Sequence, residues 1–169
     1  LELSLSGQGK LNEDLIINVL GGYTYMNPIP LDTSEVYAEV LGNIITYNNS
    51  SSDPSILKYR YQHIAKLDME LIYKKFSLGS SFRYNDFMKN VDKIFASEFF
   101  AEEIVGGIPE AREKFKNGDF IMDCRTSYQL NDITKISLVI NNLLNREYMS
   151  RPANMMPPRT IALQCNMKI

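Results

Sequence analysis

The sequence predicts an all-β chain, an antiparallel segment of a transmembrane β-barrel, and three observations carry that prediction. Apolar and polar residues alternate over seven separate stretches, the period of a strand with two unlike faces. The connections between the stretches alternate between short polar turns and long loops, the pattern of barrels that cross an outer membrane. Tyrosines stand near the ends of several stretches on the apolar phase, where a membrane–water interface favours them.

The first stretch sets Leu1, Leu3 and Leu5 against Glu2, Ser4 and Ser6, and Gly7-Gln8-Gly9 reads as a turn signal after it. From Leu15 to Tyr25, Leu15, Ile17, Val19, Gly21, Tyr23 and Tyr25 share a face; Asn18, Gly22 and Thr24 share the other, with Ile16 and Leu20 as exceptions. The third stretch, HIAKLDMELIY, is the cleanest. Ala65, Leu67, Met69, Leu71 and Tyr73 alternate with Lys66, Asp68 and Glu70. On a helix these three charges, two residues apart, would scatter around the axis.

Lys74-Lys75 reads as a tight turn into the fourth stretch, FSLGSSFRYNDF, with Phe76, Leu78, Phe82 and Tyr84 opposite Ser77, Gly79, Ser81, Arg83 and Asn85. The fifth, Phe120 to Leu130, opposes Phe120, Met122, Cys124 and Tyr128 to Asp123, Arg125, Ser127 and Gln129. Ile136, Leu138 and Ile140 oppose Lys135, Ser137 and Asn141 in the sixth. The seventh carries Ile161, Leu163, Cys165, Met167 and Ile169 against Ala162, Gln164, Asn166 and Lys168. Tyr23, Tyr25, Tyr73, Tyr84 and Tyr128 form the candidate aromatic girdle.

Residues 7–14, 74–75 and 130–132 are the short connections; 27–56, 89–118 and 143–158 are the long ones. Loops longer than about 15 residues are uncommon in soluble sandwiches, and the longer stretches have the roughly 9–11 residues a tilted strand needs to cross a bilayer. Within the long loops, Asn48 to Ser55 (NNSSSDPS) reads as a mobile turn-rich tip, and residues 96–105 and 109–116 as short surface helices, the second with Pro109 in its first turn.

Composition excludes several classes. Ten Tyr and eight Phe but no Trp, 44% hydrophobic residues and a net charge of −2 leave no basic stripe for nucleic acid. No apolar run is long enough for a transmembrane helix. Cys124 and Cys165 lack metal or redox spacing and read as small apolar fillers. His63, the sole histidine, reads as a surface or interface residue. No nucleotide-binding glycine pattern or catalytic set stands out, so neither an enzyme nor a cofactor is expected.

The segments VLGGYTYMNPIPL, LKYRYQHIAKLDMELIYKKFSLGSSFRYNDFM, GDFIMDCRTSYQL and INNLLNREYMSRPANMMPPRTIALQCNMKI resemble the C-terminal barrel of TonB-dependent outer-membrane receptors, most of all those of Bacteroidota. The most specific part is N-L-L-N-x-x-Y followed by P-P-R and the final strand, Asn142 to Ile169. The resemblance implies a barrel of about 22 strands around a plug, of which this chain, residues 1–169, supplies the last seven strands without the plug. Seven strands leave two open edges, which lipid does not tolerate, so further strands are expected upstream.

The implied function is TonB-energised uptake of a scarce nutrient (siderophore, cobalamin, glycan or peptide) through the cell outer membrane of a Gram-negative bacterium. Two alternatives stand beside it: an autonomous small outer-membrane barrel, and a soluble lipocalin-like binding protein. The implied partners are outer-membrane lipid, the TonB–ExbB–ExbD system through the plug, the barrel-assembly machinery through the C-terminal strand, and a surface lipoprotein. That strand ends on Ile169, where the family usually has an aromatic residue. On this reading Lys66, Asp68, Glu70, Arg83, Asp123 and Arg125 face the lumen as a charge network. Tyr37, Tyr47, Phe99 and Phe100 are the candidate ligand contacts, because aromatics on loops suit binding.

Overall fold

Seven strands hydrogen-bond into one antiparallel sheet in a computed structural model that describes residues 1–97 and 106–168. They are β1 (Glu2–Lys10), β2 (Leu15–Tyr25), β5 (His63–Tyr73), β6 (Phe76–Asn85), β7 (Asp119–Gln129), β8 (Thr134–Asn141) and β11 (Thr160–Met167). Their order in the sheet follows their order in the chain, an up-and-down meander. The loop between β2 and β5 carries a hairpin, β3 (Val36–Val40) and β4 (Asn43–Thr46), and a single helical turn, α1 (Tyr47–Ser50). The next long loop holds α2 (Lys93–Ala96) and α3 (Ile108–Lys114), and the last holds β9 (Met149–Arg151) and β10 (Asn154–Met155).

Register makes the two phases continuous across the sheet. Leu5, Gly21, Leu67, Phe82 and Met122 form one cross-strand row. One position along, Ser6, Leu20, Asp68, Ser81 and Asp123 form a row on the opposite face. The apolar face is the open one. Leu78 and Leu138 are 51% and 36% exposed, whereas Ser127 and Ser137, a cross-strand pair on the polar face, are 8% and 6% exposed. A soluble sandwich buries its apolar face; this sheet inverts that arrangement, as a lipid-facing wall does.

All three short turns lie at one end of the sheet. In two of them an asparagine side chain closes the turn: Asn12 Oδ1 accepts from Asp14 N at 3.0 Å and Leu15 N at 2.9 Å, and Asn131 Oδ1 from Ile133 N at 3.1 Å and Thr134 N at 2.8 Å. The first of these corrects the turn expected at Gly7-Gln8-Gly9. Those residues continue β1 and pair with Val19, Asn18 and Ile17, because the turn chemistry resides in Asn12 instead.

The long loops contain more structure than a reading as tips and helices allows. Asn48 to Ser55 is not an isolated tip: Thr46 caps α1 in a capping box with Asn49, and Ser51 is buried and bridges to Asp92. The β3–β4 hairpin, absent from the sequence reading, turns on Leu41 (φ 51°) and Gly42 (φ 77°), the paired positive φ angles of a two-residue hairpin turn. The helix placed at residues 109–116 is α3, with Pro109 in its first turn. Most of the helix placed at residues 96–105 lies outside the described residues.

Candidate functional site

At the end opposite the short turns, the three long loops pack against one another, and Asn90 is the centre of that packing. It is fully buried. Its Oδ1 accepts from Ser52 Oγ at 3.1 Å and Asp53 N at 3.0 Å, and its Nδ2 donates to Ile56 O at 2.5 Å and Tyr47 Oη at 3.1 Å. All four partners belong to the preceding loop. Beside it, Lys58 Nζ lies 2.6 Å from Asp92 Oδ1, with the lysine side chain only 11% exposed. Asp92 Oδ2 accepts the Tyr59 hydroxyl. Burial, then this bond to Asp92, pushes the Tyr59 hydroxyl up to about 12.

The third loop joins this layer through Tyr61, which donates to Ser150 O at 3.2 Å, and through Lys114 and Glu147 at 3.1 Å. A pocket of about 60 Å³ opens between the loops, lined by Tyr61, Phe87, Arg112, Phe115, Asp119 and Arg151 among others. Arg112 donates to Met88 O at 3.0 Å and lies 4.5 Å over the Phe87 ring. Burial lowers the Arg112 guanidinium and raises the Tyr61 hydroxyl from their ordinary values.

On the polar face of the sheet, Arg125 reaches over β6 to Asp68 in a two-pronged contact of 2.8 and 2.9 Å. Its path crosses Gly79, where a Cβ would meet Arg125 Nε at 2.5 Å. Ser81 donates to the same carboxylate. Arg83 lies 3.2 Å from Asp123, and Asp123 also accepts the Asn142 N–H at 2.7 Å, tying the sheet to the root of the third loop.

Among solved structures the chain is similar to the ferric-catecholate import receptor Fiu of E. coli K12 in its closed form, with a TM-score of 0.64 and 22% identity over 98% of this chain and 20% of that one. It is also similar to the siderophore receptor PiuA of Acinetobacter baumannii, with a TM-score of 0.59 and 18% identity over 98% of this chain and 21% of that one. Over nearly its whole length the chain shares the fold of a segment of these receptors, an antiparallel seven-strand sheet. It spans about a fifth of the length of these receptors. No family model and no curated protein sequence matches it.

In this sheet the six charged residues singled out from the sequence share the polar face, and four of them pair as Arg125–Asp68 and Arg83–Asp123. Lys66 stands cross-strand from Arg83, and Glu70 Oε2 lies 3.5 Å from Asn18 Nδ2. The aromatic candidates separate. Tyr37 is exposed, with its hydroxyl on Ser50 and its ring 5.9 Å from Lys58 Nζ. Tyr47 is committed inside the layer: its hydroxyl donates to Ile56 O at 2.8 Å and accepts from Lys58 N at 2.6 Å. Phe99 and Phe100 lie outside the described residues.

Asn90, Lys58 and Asp92 were not singled out from the sequence, because a polar residue on a loop carries no periodic signal of its own burial. Asn142 was legible. It stands in the N-L-L-N motif, 3% exposed, accepting from Arg146 N and donating to Arg146 O and Pro157 O.

Proposed function

We propose that the chain is the C-terminal part of the barrel of an outer-membrane import receptor in a Gram-negative bacterium, energised through the TonB–ExbB–ExbD system to take up a scarce nutrient. The observation that carries this reading is the seven-strand meander with its apolar face open and its polar, ion-paired face opposite. A lipocalin-like protein would turn its apolar face inward. In the proposed barrel the apolar face meets lipid, and the charged rows line the lumen around a plug supplied by the rest of the protein. Neither β1 nor β11 has a second neighbour among the described strands; the missing strands would satisfy both edges.

On this reading the interlocked loops form part of the extracellular vestibule, with Tyr37 and the Arg112–Arg151 pocket as its ligand-facing features. The ligand class favoured by similarity to Fiu and PiuA is a siderophore. The barrel-assembly machinery would engage β11, and a surface lipoprotein would sit over the loops. The test is a gel of the native outer-membrane fraction, boiled and unboiled, probed with an antibody against residues 145–157. A band far above 19.4 kDa that shifts on boiling supports the receptor; a soluble 19.4 kDa species overturns it.

A further inference from the structure

Asp119 opens β7 on the polar phase of the sheet, paired with Asn85, and lines the pocket between the loops. Gly118 before it has φ 82°, and a Cβ there would meet Asn85 O at 2.5 Å. Only glycine lets the chain turn so close to β6, and that turn fixes where Asp119 stands. The Asp119 side chain is 14% exposed. Its Oδ1 is buried and accepts no hydrogen bond among the described residues. Arg146 Nε lies 4.0 Å away and is itself buried without a partner. That separation offsets charge but is too long for a hydrogen bond. With Oδ1 enclosed, the carboxylate meets the pocket through its other oxygen, which no described residue supplies with a donor. A half-buried carboxylate in this state calls for a donor from outside.

The other polar groups around this space are already engaged or are donors. Tyr61 donates to Ser150 O, and Asp86 Oδ1 accepts from Phe87 N at 2.7 Å. Arg112 gives one N–H to Met88 O, and a guanidinium has five. No carboxylate of the described residues pairs with Arg112 or with the exposed Arg151. Size narrows the choice further. A benzene ring needs a cavity of about 150 Å³ and a water takes about 30 Å³. At about 60 Å³ the pocket excludes an aromatic ring and admits about three or four non-hydrogen atoms. A carboxylate there would face Asp119, and an ammonium would face Arg112. The group that answers both is uncharged, with a donor on one side and an acceptor on the other. An amide is such a group at that size.

We propose that this pocket is a subsite for a single amide of the imported ligand, whose N–H donates to Asp119 and whose carbonyl accepts from Arg112 or Arg151. The proposal rests on the receptor reading above and goes beyond it in naming the group recognised. Two sources carry that chemistry: a peptide, and a metal chelator whose arms are joined by amides.

The test uses the full-length receptor in detergent and saturation-transfer NMR with two probes of one shape. N-methylacetamide carries the amide; methyl acetate keeps the carbonyl and has no N–H. The amide should bind about tenfold more tightly, because the ester leaves Asp119 without its donor. Asp119→Leu should bring the amide down to the level of the ester, and Ala111→Leu, which fills the space, should weaken both. Both variants must still shift on boiling as the parent does. Equal binding of the two probes, or an amide preference that survives Asp119→Leu, overturns the proposal and leaves the receptor reading standing. Binding of neither probe also overturns it and assigns the pocket to ordered water. Displacement of N-methylacetamide by trialanine supports a peptide ligand, and displacement by a ferric catecholate with amide-linked arms supports a chelator. Displacement by neither overturns the assignment to the imported ligand. Absence of any heat shift in the parent protein would instead sink the receptor reading.

Discussion

The side-chain oxygen of Asn145 accepts the backbone N–H of Arg159 at 2.9 Å. A residue at the root of the last long loop thereby holds the chain where that loop returns to the sheet. Asn142 makes the companion contact to Pro157 O at 3.2 Å. Both asparagines have φ near 50°, a conformation that asparagine tolerates better than most residues. The N-L-L-N motif is thus a buckle that fixes both ends of one loop.

Replacing Asn142 by Ala should open that buckle. Three backbone groups of Arg146 and Pro157 lose their partner, at a cost of about 2–4 kcal/mol. Trypsin cleavage after Arg146, whose backbone Asn142 holds, followed on a gel in the unboiled protein, should accelerate at least about tenfold. Unchanged cleavage would remove the buckle's role.

Gly79 and Arg125 should behave as one unit. Gly79→Leu places a side chain where the guanidinium lies and should uncouple Arg125 from Asp68. Because both partners are about a third exposed, the coupling measured by a double-mutant cycle of Asp68→Asn and Arg125→Met should be near 1 kcal/mol. In the Gly79→Leu background it should fall to zero.

Lys58 and Asp92 form an unequal pair, the lysine far more covered than the aspartate. Asp92→Ala strands a buried ammonium, so it should raise hydrogen exchange across both the 26–62 and 86–118 loops more than the double variant with Lys58→Met does. Equal exchange in the single and double variants would argue against a buried pair.

Tyr59 gives the loop layer a pH dependence. Its hydroxyl titrates near 10 in the unfolded chain and at about 12 when docked. The docked form therefore holds more protons across that window, and its stability is full below pH 10 and lost as pH rises toward 12. Loop exchange should rise over that range in the parent protein and show a smaller rise in Tyr59→Phe.

The sheet was legible in the sequence because a half-buried strand writes its two faces in alternate letters. Leu67, Met69 and Leu71 against Lys66, Asp68 and Glu70 left no other reading. The rule faltered where a residue on the polar phase is apolar: Ile121 is 1% exposed there, and its burial under neighbouring side chains has no periodic sign. The β3–β4 hairpin was readable from Val36, Ala38 and Val40 with Gly42 after them; the long-loop reading passed over it. The loop layer was opaque for a different reason. Asn90 is buried by partners 34 to 43 residues away, and no local pattern encodes such a distance.

The burial of Asn90 inside a neighbouring loop also governs how this surface can change over evolutionary time. A residue gained or lost between Tyr47 and Tyr59 would misplace the acceptors and donors that Asn90 needs, so the two loops have to drift together. Variation in what the surface recognises should accordingly accumulate in side chains such as Tyr37 that hang off this shared frame. Excising a whole loop would disturb both and say little about either.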